Sequence, residues 1–493
     1  MMRFLVVSVL LFMIAYIGID RELVDDEDTE ENSPLNVLFL SIDDLRPELG
    51  CYGVAGMVTP AIDGLAERGM LFTNAFCQFP SCGPSRVALL TGLRPETTGA
   101  RGQWVDYRKS MPDVVVMPEL FLKAGWKTRA LGKIHHGTGQ IDDKQAWSEP
   151  CWRPSRWQTY YAMPESNAAI EKVTETWKRK DSLPRVIAWE APDVPASELP
   201  DGMIAEEAIR FLREEHEKPF FLAVGFLKPH MPFVAPKKYW DLYPADEVQK
   251  SPYPEFPKST PAMATNNSDE VLGFSQVRPE GVDDEEAVQL IRGYRACVSF
   301  VDAQVGRVLA ELDEQGLRES TVIVLWGDHG WHLGDQGLWG KHTNFEASHR
   351  SPIIVVTPSM GAAGKTCDRL VETVDLYPTL AELCGLEAPA GLEGLSMQPL
   401  LENPKTPWKT AVFGEYERRY LELGKIRGRS IRTVDYRFTK WDSSDADFTE
   451  LELYDLREDR FERENLAGDP QYESLIRMLR KQLKAGWSGA LPE

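Results

Sequence analysis

The stretch Leu35-Asn36-Val37-Leu38-Phe39-Leu40-Ser41-Ile42, followed at once by Asp43-Asp44, decides the fold. A nearly continuous apolar run of this length is typical of a strand buried on both faces of a parallel sheet. Adjacent residues of a strand point to opposite faces, so Asp43 and Asp44 can serve one site only if the chain turns where the strand ends. The following Leu45-Arg46-Pro47 permits such a turn.

Three further apolar runs end in polar side chains in the same way. They are residues 321–326 before Asp328-His329, residues 219–227 before Lys228-Pro229-His230, and residues 128–132 before Lys133-Ile134-His135-His136. Helical patterns separate the runs, at residues 118–124, 205–214 and 286–312. This alternation predicts an α/β fold with a large, mostly parallel central sheet flanked by helices. Since ligands of such sheets bind beyond the carboxyl ends of the strands, we expect the four polar clusters to meet there.

Asp43, Asp44 and Asp328 would bring three carboxylates to that edge. Their oxygen atoms suit a hard divalent cation, calcium or magnesium. Without a cation the carboxylates would repel one another, and the pKa of at least one would be raised.

Residues 82–86 read Cys-Gly-Pro-Ser-Arg and precede the apolar stretch Val87-Ala88-Leu89-Leu90. Pro84 suits the first position of a helix, which would put Cys82 beside the positive, anion-attracting helix end. The alternative is a cysteine that is merely buried. None of the seven cysteines has the paired spacing of a zinc site. In an exported protein some could form disulfides, and the odd total would leave one over, for which Cys82 is the candidate.

The 493 residues carry 76 acidic and 55 basic side chains, a formal net charge of -21. Nucleic-acid binding needs a basic footprint, so this balance argues against a nucleic-acid partner. Salt screens exposed charges over about 8 Å, so a local basic pocket could still hold an anionic substrate group.

Four segments are expected along the chain. Residues 1–20 have the positive start and short apolar core of a signal peptide, which predicts a secreted or periplasmic protein without stable membrane insertion; an uncleaved anchor is the alternative. Residues 21–33 form an acidic spacer. Residues 34–405 form the main domain, and the Gly- and Pro-rich residues 391–407 lead to a smaller domain, residues 406–493, with strands at 411–413, 430–439 and 450–456 and a helix at 472–485.

The motif Cys82-x-Pro84-x-Arg86, followed by Leu90-Thr91-Gly92, resembles the signature of type I, formylglycine-dependent sulfatases of the alkaline-phosphatase-like superfamily. Other ordered motifs are similar to the iduronate-2-sulfatase branch, at residues 41–47, 82–94, 132–133, 220–225, 228–230, 328–331 and 430–437. The resemblance spans almost the whole chain. It implies an alkaline-phosphatase-like fold and a hydrolase that removes O-sulfate from a sulfated sugar or glycan.

The resemblance also implies roles for single residues. A modifying enzyme would oxidise Cys82 to formylglycine, whose hydrate attacks sulfur. The resemblance assigns a calcium ion, with magnesium second, to Asp43, Asp44, Cys82, Asp328 and His329. Arg86 would bind the hydrate, Lys133 and Lys341 the sulfate, His230 would protonate the leaving group, and His136 would act as the base that releases sulfate. A phosphomonoester or phosphonate hydrolase, or a non-catalytic glycan-binding protein with unmodified Cys82, are the alternatives.

Overall fold

The computed structural model describes residues 34–136, 142–154, 161–174, 184–358 and 360–492. The predicted signal peptide and acidic spacer lie outside these residues. The strands are β1 (Asn36–Ile42), β2 (Met70–Phe76), β3 (Lys127–Gly132), β4 (Trp189–Glu190), β5 (Phe220–Phe226), β6 (Phe233–Val234), β7 (Thr321–Gly327), β8 (His332–Leu333), β9 (Trp339–Gly340), β10 (Ile353–Val356), β11 (Lys365–Glu372), β12 (Ala411–Tyr420), β13 (Gly424–Thr433), β14 (Tyr436–Ser443) and β15 (Thr449–Asp455).

The helices are α1 (Pro60–Ala66), α2 (Cys82–Thr91), α3 (Pro95–Thr98), α4 (Tyr107–Ser110), α5 (Met117–Lys123), α6 (Pro164–Thr174), α7 (Pro200–Leu212), α8 (Lys237–Trp240), α9 (Asp269–Leu272), α10 (Asp284–Glu314), α11 (Glu346–His349), α12 (Leu376–Leu383), α13 (Gln398–Glu402) and α14 (Glu473–Ala485).

The central sheet has seven strands in the order β11-β2-β10-β7-β1-β5-β3. The pairings of β1 with β5 and β7, of β3 with β5, and of β2 with β11 are parallel, and β10 runs antiparallel to both of its neighbours. The predicted large, mostly parallel sheet is confirmed.

Strand β1 lies between two apolar layers, and this position explains its sequence. Every residue of the strand is buried. Leu38 and Leu40 belong to the core that contains α7 and α10, whereas Val37 and Phe39 belong to the opposite core, which contains α2, α5 and α12. Because both faces are covered by helices, the strand reads as a continuous apolar run rather than an alternating one.

The carboxyl ends of the central strands are level with one another. Ile42 of β1 pairs with Phe226 of β5 and with Gly327 of β7. Gly132 of β3 pairs with Gly225 of β5. The polar residues that follow these strands therefore emerge at one edge of the sheet, as the sequence predicts.

The C-terminal part is a four-stranded antiparallel sheet in the order β12-β13-β14-β15, with α14 on one face. The prediction of one strand over residues 430–439 is wrong, because two strands, β13 and β14, meet there in a tight turn at Val434 and Asp435. The amide of Tyr436 donates to Thr433 Oγ1 at 3.0 Å and closes this turn. A turn without Gly, Pro or Asn gave only a weak signal in the sequence.

Pro34–Glu493 form one compact unit, and ion pairs join the C-terminal sheet to the rest of it. Glu346 accepts hydrogen bonds from Arg432 and Arg437, both at 3.0 Å. The proposed boundary between residues 405 and 406 stays a prediction; β12 begins five residues beyond it.

Two features expected of some exported proteins are absent from the part of the chain that the structure describes. All seven cysteines are free, so no disulfide forms among them. No helix in these ranges is long and apolar enough to span a bilayer.

We predict that Gly225→Ala disturbs the site, although the substitution adds only one methyl group. A Cβ at Gly225 would collide with the backbone carbonyl of Lys133 on the neighbouring strand. Overpacking of this kind costs about 1–3 kcal/mol of unfolding free energy, and the shift of Lys133 should lower turnover of the sulfate ester that the resemblance implies, at temperatures where the variant stays folded.

Gly64→Ala is the matched control, because Gly64 lies in α1 with open space around its Cα. Thermal unfolding and turnover are measured on both variants. Gly225→Ala protein with wild-type melting and wild-type turnover would contradict the close packing of β3 against β5.

Candidate active site

Cys82 lies at the centre of the polar cluster and has no exposed surface. Its Sγ is 3.3 Å from His329 Nε2, 3.4 Å from Lys341 Nζ and 3.6 Å from Asp44 Oδ1. Helix α2 begins at Cys82 itself, so the prediction that it begins at Pro84 is wrong by two residues. Pro84 instead lies in the first turn. A backbone N–H there would have no intrahelical acceptor, so proline loses no hydrogen bond.

Asp43 and Asp44 reach the same site because the chain turns at Asp44. The φ angle of Asp44 is 59°, in the left-handed region that Asp tolerates better than most residues. The Asp44 amide donates to Asp328 Oδ1 at 2.9 Å, and the Tyr294 hydroxyl donates to the Asp44 carbonyl at 2.7 Å. The turn thus occurs one residue before Leu45-Arg46-Pro47, the segment expected to permit it.

Arg86 joins two of the three carboxylates. Its guanidinium donates to Asp43 Oδ1 at 2.9 Å and to Asp328 Oδ2 at 3.1 Å, and also to Ser41 and to the carbonyl of Lys133. These bonds hold the carboxylates in place, and the role of Arg86 in binding a hydrate at position 82 stays a prediction.

The two neighbouring aspartates have different electrostatic surroundings. Burial opposes ionisation of Asp43, but Lys133 and Arg86 hold its pKa well below the usual range. Burial raises the pKa of Asp44 well above the usual range, although Lys341 Nζ lies 2.7 and 2.8 Å from its two oxygens. The region around Asp44 is therefore short of positive charge.

A divalent cation fits this position. The ligand atoms of Asp44, Cys82, Asp328 and His329 lie within 4.8 Å of one another, as do those of Asp43, Asp44, Cys82 and His230. A cation among these oxygens would supply the charge that Asp44 lacks, and oxygen-rich surroundings favour calcium or magnesium.

The backbone carbonyl of the next residue orients His329 toward the cluster. Its Nδ1 lies 3.0 Å from the Gly330 carbonyl, and its Nε2 lies 3.3 Å from Asp44 Oδ1. Burial favours the neutral ring, yet Asp328, Cys82 and Asp44 raise the pKa of His329 to about 9.

His230 lies at the rim of the site, with 27% of its side chain exposed. Its Nδ1 is 2.5 Å from the Met231 carbonyl, which leaves Nε2 facing inward, 3.9 Å from Asp44 Oδ2 and 3.7 Å from Glu270 Oε1. Burial, Lys341 and Lys133 lower its pKa well below the usual range.

Glu270 is a site residue that the sequence did not reveal. Its Oε1 is 3.3 Å from Lys341 Nζ, and Lys341 and His230 hold its pKa below the usual value against the effect of burial. Glu270 comes from the four-residue helix α9 in a polar connection, where no strand end or motif marks it.

The two adjacent histidines after β3 have different surroundings. His135 is buried, and its Nε2 accepts a hydrogen bond from the Trp147 indole at 3.1 Å. His136 has a buried Nδ1 with no partner among the described residues, and its ring lies 5.1 Å from that of Trp104, which is 58% exposed. Burial and Lys133 lower the pKa of His136 to about 3.

The C-terminal sheet also reaches the site, which the sequence did not predict. Tyr416 of β12 stacks on His342 with ring centroids 5.5 Å apart, and Arg418 donates to the His342 carbonyl at 2.6 Å. His342 has a φ of 75° and follows Lys341 directly. Position on an edge strand, rather than any sequence motif, brings Tyr416 and Arg418 here.

Two family profiles match the chain. The first, described as Sulfatase, covers residues 35–386, and the second, described as N-sulphoglucosamine sulphohydrolase, C-terminal, covers residues 334–487. The chain is similar to iduronate 2-sulfatase of Mus musculus, with 34% identity over 90% of this chain and 93% of the relative. The Homo sapiens iduronate 2-sulfatase is 33% identical over 92% of this chain and 95% of the relative.

Solved structures have the same fold. The structure of BT4656 with its substrate D-glucosamine-2-N,6-O-disulfate superposes with a TM-score of 0.74 at 21% identity, over 93% of this chain and 98% of the other. The phosphonate monoester hydrolase of Agrobacterium radiobacter superposes with a TM-score of 0.70 at 22% identity, over 92% and 96%. These likenesses confirm the alkaline-phosphatase-like fold. Together with the profile that covers most of the chain and the relatives that are one-third identical along its length, they show that this chain belongs to the sulfatase family and is a sulfuric ester hydrolase.

Proposed function

We propose that the enzyme removes an O-sulfate group from a sulfated sugar, using an oxygen nucleophile made from Cys82. The observation that carries this proposal is the position of Cys82 Sγ, fully buried at the start of α2 and within 3.6 Å of a lysine, a histidine and an aspartate. A group placed there meets both the positive helix end and the cations that an anionic ester requires.

Conversion of Cys82 to formylglycine would put a hydrated aldehyde at this position, and one of its hydroxyl oxygens would be the nucleophile. The conversion removes the sulfur and two electrons from Cβ and adds an oxygen, so it requires a separate modifying enzyme with its own oxidant, dioxygen or an organic radical. Cys82 is available for it, since it is not in a disulfide.

Asp43, Asp44, Asp328 and His329, with the modified residue 82, would hold a calcium ion in preference to magnesium. When bound, this ion would neutralise charge on the sulfate and favour ionisation of the nucleophile. Arg86 fixes Asp43 and Asp328 in place through its two hydrogen bonds.

Lys133 and Lys341 are the cations that would bind the sulfate oxygens. Each now pairs with an aspartate, Lys133 with Asp43 and Lys341 with Asp44. A bound divalent cation would take over the two aspartates. The two ammonium groups would then face the oxygens of the anionic ester as point charges.

Two histidines would move the protons. Nδ1 of His230 donates to the Met231 carbonyl, so its inward-facing Nε2 bears a proton only in the cationic ring, a form that a bound anionic ester would favour; the leaving sugar oxygen would then receive that proton when the bond to sulfur breaks. His136 would act as the base that removes a hydroxyl proton when sulfate is released, and its Nδ1, which has no partner within the described ranges, supports this role.

Similarity to the two iduronate 2-sulfatases supports a 2-sulfated uronic acid, or a related unit of a sulfated polysaccharide, as the substrate class. Residues 1–20 support export, so that the enzyme would act on glycans in a secreted or periplasmic setting. The alternative of a phosphomonoester or phosphonate hydrolase is tested by comparing aryl sulfate with aryl phosphate; faster turnover of the phosphate would overturn the proposal.

We predict that the tryptic peptide of residues 69–86 contains one modified and one unmodified cysteine position. This peptide also carries Cys77, a buried cysteine outside the cluster, which serves as the internal control. In active protein, mass analysis after thiol alkylation should find an aldehyde at residue 82 and an alkylated thiol at residue 77. Fully active protein with both thiols intact would refute the mechanism, and Cys82→Ala should abolish turnover without loss of fold.

We predict that His230→Gln slows hydrolysis in proportion to the basicity of the leaving group. Loss of a general acid lowers kcat by roughly 10²–10⁴-fold, and this loss should appear with a sugar sulfate but be small with a nitrophenyl sulfate, whose leaving oxygen needs no proton. His216→Gln is the control, because His216 precedes β5 whereas His230 follows it, and its ring is hydrogen-bonded to the Phe211 carbonyl. Equal losses on both substrates would indicate a positioning role instead.

We predict that calcium stabilises the protein as well as activating it. Ligand at about 100 times its Kd adds about 2.7 kcal/mol to the unfolding free energy, so Tm should rise when calcium is added to chelator-treated protein, and less so with magnesium. Asp328→Asn should lose most of this rise, whereas Asp302→Asn, at a buried aspartate that accepts from the Ile62 amide, should keep it. An unchanged Tm in the wild type on adding calcium would refute the cation site.

A further inference from the structure

Helix α14 carries a basic face that no intramolecular contact explains. Its apolar side chains Ile476 and Leu479 are buried against the C-terminal sheet. On the outer side, Arg480, Lys481 and Lys484 are exposed, and none of the three forms an ion pair with any residue that the structure describes. Arg477 on the same side is different, because it pairs with Glu473 at 2.6 Å.

These three cations line a groove together with two more from the sheet. Arg429 of β13 and Lys440 of β14 lie opposite each other in register and share one acidic partner, Asp442, at 3.0 and 3.2 Å. The groove has a volume of about 540 Å³, and Leu483 forms its apolar wall. Five cations with one acidic partner thus line a single concavity.

This concentration of positive charge contrasts with the whole chain, in which acidic side chains outnumber basic ones by 76 to 55. Like charges spaced three or four residues apart on a helix repel one another, as Lys481 and Lys484 or Arg480 and Lys484 must do here. The buried Nε of Arg429 also has no hydrogen-bond partner among the described residues. An anionic ligand would relieve the repulsion and satisfy the guanidinium.

We propose that this groove, which we call the α14 groove, binds a sulfated stretch of a polysaccharide outside the active site. The polymer as ligand rests on the proposed function, since it is the class of molecule that carries the sulfate esters this enzyme hydrolyses. The volume of about 540 Å³ is many times that of one water molecule, about 30 Å³, so the groove is larger than a single small ion needs. Five separated cations match a repeating row of anions better than a single ion.

The α14 groove is connected to the mouth of the active site through edge strand β12. Arg429 pairs in register with Glu415, and Glu415 accepts from Arg101 Nε at 2.6 Å. Arg101 is three residues before Trp104, whose exposed ring lies beside His136. A second, smaller groove shares Arg429 and Leu483 and extends along β12 past Gln78, four residues before Cys82. Residues of β12 thus link the α14 groove to the mouth of the active site, but the smaller groove between them also contains Glu96 and Glu415, so the α14 groove is a separate binding site and not part of a continuous cationic path.

Two other polyanions are less well suited. A nucleic acid would meet the same long-range repulsion from the net charge of -21 as any polyanion, and only a sulfated polysaccharide carries the esters on which the proposed function acts. A membrane surface is flat, whereas these cations line a concave groove. Both classes serve as comparison ligands in the test.

The test removes the three unpaired charges by Arg480→Gln, Lys481→Gln and Lys484→Gln in one protein. The control removes three exposed lysines elsewhere, by Lys109→Gln, Lys123→Gln and Lys237→Gln, for the same change in net charge. Binding to a heparin oligosaccharide is measured in a Cys82→Ala background, so that no turnover interferes. We expect the α14 variant to bind at least tenfold more weakly than the control, with the slope of log K against log salt reduced by about 2.

Activity provides the second measurement. With Cys82 intact, the α14 variant should keep wild-type kcat/KM on a small aryl sulfate but show a raised KM on a long sulfated polymer. Equal heparin binding by the α14 and control variants would overturn the inference, as would tighter wild-type binding to DNA or anionic vesicles than to heparin. Failure of the proposed function would give a different result. The wild type would then hydrolyse no sulfate ester, while the α14 variant would still bind heparin more weakly than the control variant.

Discussion

The pairing of Arg86 with Asp43 and Asp328 is the interaction on which the site depends. It joins α2 to the ends of β1 and β7 and sets two carboxylates facing the position of Cys82. Burying such charges is costly unless every one is paired and hydrogen-bonded. Lys133 and Lys341 complete the pairing at Asp43 and Asp44. The strand ends, the helix and the turn at Asp44 are therefore mutually constrained, and none of them can move alone without leaving a charge uncompensated.

The sequence predicted the parts of the site that follow from strand topology. Parallel strands end at one edge, so apolar runs ending in Asp43, Lys133 and Asp328 were enough to bring those residues together. The sequence could not predict Glu270 or Tyr416, because each reaches the site through packing between segments that are distant in the chain. It also missed the hairpin at Val434, since Asp435 is the one residue of this turn with a turn preference, and it gave too weak a signal to divide the run. Patterns of local spacing reveal elements and strand ends, whereas contacts between elements depend on the whole fold.

The site is built from two parts with different structural constraints. The floor consists of charged residues held by the central sheet, where a change of one residue unbalances the others. The rim is formed by loop residues such as Trp104, by the short helix that carries Glu270, and by Tyr416 and Arg418 on an edge strand. Connecting segments and edges tolerate substitution better than a packed sheet does. Substitutions at the rim can thus change the shape of the site's mouth while the charge pairing of the floor is kept.

The complete burial of Cys82 has a consequence for the order of events during biosynthesis. An enzyme that acts on this Sγ must reach it while the segment is still extended, because α2 and the ends of β1 and β7 enclose it once they have packed together. If Cys82 is converted as proposed, maturation would be a kinetic competition between folding and modification. A substitution that speeds folding of the N-terminal half could yield protein that is stable, soluble and inactive, so abundance and activity of such variants need not change together.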